Sequence, residues 1–86
     1  MAFANNLATL LEPLGWAPEQ RALQLAAEMG RAGSVVDPRS VQRWLDGDTE
    51  PRLETLVALT GTLSLLLGYV ITSDDLLVRS AEPIVT

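Results

Sequence analysis

The 86-residue chain contains no cysteine, no histidine and no lysine. The first absence excludes disulfides and thiolate ligands, and the second removes the usual zinc sites. Together they also exclude serine–histidine and cysteine–histidine catalysis. Long apolar runs are missing too: the longest, Leu65 to Ile71, falls far short of the about 20 residues that span a bilayer. The N-terminus shows no charged stretch followed by an apolar one, so no secretion signal is read there and the cytoplasm is the expected compartment. Low-complexity tracts are absent as well. The acids form no evident catalytic pair, and Asp74 and Asp75 read as helix-start residues, so no enzyme is expected. No cofactor and no metal site is expected either.

What is present is a hydrophobic content of 48%, enough for one small folded domain and too much for a disordered chain. All six basic residues are arginine, against eleven acids, for a net charge of −5. Between Arg31 and Arg52 four arginines meet four acids (Asp37, Asp46, Asp48, Glu50), so this window is neutral and the remainder carries the negative charge. A phosphate backbone is least disfavoured there.

Turn signals divide the chain into five segments of helical period. In the first, Leu7, Leu10, Leu11 and Leu14 share a face. Asn5 or Asn6 is the candidate cap, and Pro13 the kink or stop. Pro18 suits the first turn of a second helix with Ala22, Leu25, Ala26 and Met29 inward and Gly30 as the stop. A short loop follows, whose Val35 and Val36 are expected to tuck in. Asp37 before Pro38 predicts the start of a third helix, which Gly47 closes. Pro51 opens a fourth, with Leu53, Leu56, Val57, Thr60, Leu63 and Leu67 as its inner stripe and Gly68 as its end. Thr72 and Asp75 have capping-box spacing for a short fifth helix. No segment alternates with period two, so the fold class is all-α. Residues 1–79 form the domain and 80–86 a tail.

At 100° per residue, Val41, Trp44 and Leu45 of the third helix fall in one arc, and Arg39, Gln42, Arg43 and Asp46 in the opposite one. The first set is core, with Trp44 placed against the fourth helix. The second is an outward row of hydrogen-bonding groups on a short helix, a shape that fits a DNA major groove. Most such rows only face water. Here arginine is able to pair bidentately with guanine and glutamine with adenine.

The stretch "SVQRWLDGDTEPRLETLVAL" resembles the lambda-repressor-like helix-turn-helix domains of the Xre/Cro group. Val41, Arg43, Trp44, Gly47, Pro51, Leu53 and Leu56 occupy the family's pattern, and "TSDDLL" is similar to its fifth helix. The resemblance implies a compact five-helix domain that binds double-stranded operator DNA. It places Arg39 and Arg43 at base edges with Gln42 beside them, Ser40 on backbone or base, and Arg52 on phosphate. The chain departs from the pattern in a longer connection before the third helix, in Pro38, and in the acidic loop "DGDTE" where the family is usually basic. Asp46, Asp48 and Glu50 alternate as in a calcium loop, but the glycine is misplaced for an EF-hand and Pro51 interrupts the run. The acids are instead expected to balance Arg39, Arg43 and Arg52 and position their side chains.

Leu59, Leu65, Leu66, Tyr69, Val70 and Ile71 have no evident internal partner, so the apolar 59–71 region is the expected homodimer surface. Two functions follow. One is a sequence-specific transcriptional regulator, a homodimeric repressor reading the major groove with residues 38–46. The other is a protein-interaction module on the same scaffold with little or no DNA affinity.

Overall fold

Proline and glycine divide residues 2–77, the part described by the computed structural model, into five α-helices. These are α1 (Ala2–Leu11), α2 (Arg21–Arg31), α3 (Pro38–Asp46), α4 (Leu53–Leu67) and α5 (Ser73–Leu77). Two single 3₁₀ turns, Glu12–Leu14 and Pro18–Gln20, fill the link between α1 and α2. No strand occurs among the described residues, so the fold is all-α, with the five helices expected. The domain boundary at 79 and the 80–86 tail lie outside the described residues.

α1 begins before either asparagine, which corrects the cap assignment. Asn6 lies inside the helix, and its side-chain amide donates to the Leu76 carbonyl at 2.9 Å, tying α1 to α5. Phe3, absent from the leucine pattern, is buried with Leu7 and Leu11, while Leu10 and Leu14 are half-buried. The α-helix stops at Leu11, and the 3₁₀ turn containing Pro13 carries the chain to left-handed Gly15.

α2 buries Ala22, Leu25, Ala26 and Met29, the predicted stripe. It runs through Gly30 rather than ending there. The stop comes later, where Ser34 N–H donates to Met29 O at 2.9 Å and Gly33 N–H to Gly30 O at 3.0 Å, the paired bonds of a Schellman motif. Val36 then packs on the core, but Val35 turns out to solvent at 91% exposure, against expectation.

The fourth helix buries Leu56, Thr60 and Leu63 of its predicted stripe but is turned so that Leu59 and Thr62 join them in place of Leu53 and Val57. Leu53 and Val57 face out, and Leu67 is half-buried. Glu54 is the only charge on α4, so its sequence shows no clear polar face from which to read a stripe. The buried hydroxyls find acceptors within the helix: Thr60 Oγ1 donates to Val57 O at 2.8 Å, and Thr62 Oγ1 to Ala58 O at 2.9 Å. Past left-handed Gly68, Ile71 N–H donates to Ser64 Oγ at 2.8 Å, folding the exit back onto α4. Leu59 and Ile71 are therefore core residues, a correction to their place in the expected dimer surface.

α5 starts as its spacing predicts. Thr72 N–H donates to Asp75 Oδ2 at 2.8 Å, and Asp75 N–H returns to Thr72 O at 3.1 Å. α3 packs chiefly on α2 and α1 rather than on α4, and α5 closes against α1. Each fully buried leucine in this core contributes roughly 1.5–3 kcal/mol. Among the described residues no helix is long and apolar enough to cross a membrane.

Candidate nucleic-acid interface

α3 is set by local chemistry at both ends. Asp37 has extended backbone angles, and its carboxylate accepts from Arg39 N–H at 2.9 Å, while Pro38 supplies a preset first helical residue. At the other end Gly47 takes φ 84°, where any side chain would be strained, and a second Schellman pair forms. Asp48 N–H donates to Arg43 O at 3.0 Å and Gly47 N–H to Trp44 O at 3.2 Å. The nine-residue helix is thus pinned to fixed bounds, Pro38–Asp46.

Its faces divide as the projection predicts. Val41 and Trp44 are buried and Leu45 is half-buried against the core. Arg39, Gln42, Arg43 and Asp46 are exposed, and Ser40 is half-buried at the edge between the two sets. Gln42 Nε2 donates to Asp46 Oδ1 at 2.9 Å, which fixes the amide plane. The second N–H and the carbonyl oxygen remain for another partner.

An open depression of about 600 Å³ runs along the flank of α3 toward the start of α4. Ser40, Arg43 and Arg52 line it together, with Asp37, Glu50 and the exposed Val35 also on its wall. Three of the five sequence-derived contact residues therefore converge on one concavity. Arg39 and Gln42 do not line it and stand on the outward row. Val35 is the lining residue that the sequence misassigned: a valine pair in a loop reads as core, and only the turn at Gly33 decides which of the two goes in.

The acids do not hold the arginines as expected. Among the described residues one ion pair forms within 4 Å, Arg31 with Glu28 at 3.4 Å, and Arg39, Arg43 and Arg52 take part in none. Asp46 is bound to Gln42 instead. The three guanidinium groups sit exposed with their donors open to an external acceptor. Among the described residues no three acidic, histidine or cysteine side chains gather as a metal site requires.

The chain belongs to the SP15 N-terminal domain family, whose model matches residues 7–77. That span runs from within α1 to the last residue of α5 and includes every residue of the candidate interface. No curated protein matches the chain, and no solved structure matches it.

Proposed function

We propose that this family member is a sequence-specific DNA-binding transcriptional regulator, a homodimeric repressor that places α3 in the major groove. The observation supporting this reading is the exposed Arg39–Gln42–Arg43 row, its arginines in no ion pair among the described residues, on a short helix capped at both ends. It agrees with the resemblance to lambda-repressor-like domains. Arg39 and Arg43 pair with guanine edges, and Gln42, with its amide plane held by Asp46, offers its remaining N–H and oxygen to adenine. Ser40 and Arg52, at the depression, meet the sugar–phosphate backbone and set the register. Two copies put their α3 helices into successive major grooves about 34 Å apart and block a promoter sterically. The reading involves no catalysis and no cofactor.

A second reading draws on a different observation. Leu53, Val57, Leu65 and Val70 are all more than half exposed, an unusual apolar surface for so small a domain. On that reading the chain is a protein-interaction module on a helix-turn-helix scaffold with little DNA affinity. Selection from random duplex DNA at low salt separates the two. Enrichment of a palindromic site supports the repressor, and the absence of any enriched site overturns it.

A further inference from the structure

Asp46 stands where neither the helix nor a phosphate backbone favours an acid. It is the last residue of α3, so its carboxylate lies at the negative end of the helix dipole. It is exposed on the same outward row as Arg39 and Arg43, and it adds to the negative charge of a chain already at −5. It takes part in no ion pair among the described residues. Its hydrogen bond is to Gln42, whose Nε2 donates to Asp46 Oδ1 at 2.9 Å. As a brace between successive turns, such a pair gives the helix little more than the charge at its end takes away.

We propose that Asp46 is a specificity-determining residue, which makes Gln42 a reader of adenine and an excluder of guanine. This rests on the reading of α3 as the groove helix. The oxygen and nitrogen of a primary amide exchange places in a half-turn of the last torsion, so an unheld glutamine offers either one to a base. A carboxylate removes that freedom because it only accepts. The Gln42 nitrogen therefore faces Asp46, and the turned amide would set oxygen against oxygen. An amide that gives Asp46 the hydrogen remote from its own oxygen keeps that oxygen and its second N–H together on one edge. Adenine matches this edge, since its N6 donates and its N7 accepts. Guanine presents acceptors at both O6 and N7, so the held oxygen meets O6 with no hydrogen between them. The repulsive pairing contributes to the discrimination along with the attractive one. Asp46 acts through Gln42 and is a positioning residue.

The test starts from duplexes selected out of a random pool by the parent chain at low salt. Titration of Q42A on every single-base variant of the selected site identifies the base pair that Gln42 reads, which is expected to carry adenine. D46N is the decisive variant. It is nearly isosteric, but its own amide both donates and accepts, so Gln42 is satisfied in either orientation. The preference for adenine over guanine at that base pair is expected to fall about tenfold, with the other positions unchanged. Loss of a charge alone would raise affinity by one factor on every duplex and leave the ratio intact. In the Q42A background D46N is expected to leave the ratio as it is, because no amide remains to turn. Both side chains are exposed, so the melts of all variants are expected to match or exceed the parent. A parental adenine-to-guanine ratio in D46N, a loss just as large in the Q42A background, or a Gln42 position that is absent or selects another base each overturns this inference and leaves the DNA reading standing. Absence of any selected site overturns that reading and the inference with it.

Discussion

Arg43 and Trp44 are neighbours in the chain with opposite tasks, and the 100° step of a helix is what separates them. Trp44 is 4% exposed within the core, and Arg43 is exposed on the wall of the depression. Trp44→Ala is expected to destabilise the fold by about 3–5 kcal/mol, a large share of what so small a domain holds. Chemical denaturation of the variant measures this, and a parental midpoint would mean that α3 carries its faces the other way round. Arg43→Ala leaves the core untouched, so its melt should match the parent. On a selected DNA site it is expected to cost about 1–3 kcal/mol and relax the base preference at one position. A fluorescence titration on matched and mismatched duplexes reads both effects.

At the scale of elements, local signals were legible and tertiary choices were not. The bounds of α3 follow from Asp37, Pro38 and Gly47 alone, and the buried stripe of α2 follows from its period, because each depends only on residues a turn away. The stripe of α4 is legible only in part, at Leu56, Thr60 and Leu63, because an almost uncharged helix is able to bury any face. What selected Leu59 over Leu53 and Val57 was the position of the rest of the core, which no local pattern encodes. Asn6 has a cap's composition but serves a carbonyl seventy residues away. Within the candidate site, the outward row was readable from spacing, whereas the meeting of Ser40, Arg43 and Arg52 at one depression required the loop path. The α3 cap carries its own prediction. Asp37→Ala should cost about 1 kcal/mol of stability, and Asp37→Asn, an equally good cap, close to nothing. Asp37 also lines the depression, so Asp37→Asn removes a carboxylate from the proposed DNA face and should raise DNA affinity at unchanged stability. Urea midpoints paired with DNA titrations test the two effects separately; an asparagine variant as weak as the alanine one would contradict the cap.

For the whole molecule, the central fact is a net charge of −5 on a proposed DNA binder. Non-specific affinity comes mostly from phosphate neutralisation and counterion release, so this chain should be poor at it and should depend on base contacts and on pairing of two copies. The loop after α3 contributes to that handicap. Glu50 lines the same depression as Arg43 and Arg52, and Asp48 is held two residues away by its bond to Arg43 O. Neither acid forms an ion pair within 4 Å among the described residues, and both are exposed. Replacing both with lysine moves the net charge from −5 to −1, each swap adding two charges. If the loop lies beside a phosphate backbone, two repulsions become up to two contacts. Affinity should then rise on every duplex, selected or random, because phosphate contacts carry no base information. The plot of log affinity against log salt should steepen by up to about two units, at about 0.9 per phosphate contact. Selectivity between the best site and random DNA should fall or stay level. Anisotropy titrations of the parent and the double-lysine variant on two duplexes, at several salt concentrations, measure all three quantities. An unchanged salt slope would remove the loop from the DNA backbone and favour a protein partner there, whose complex the same variant should then weaken.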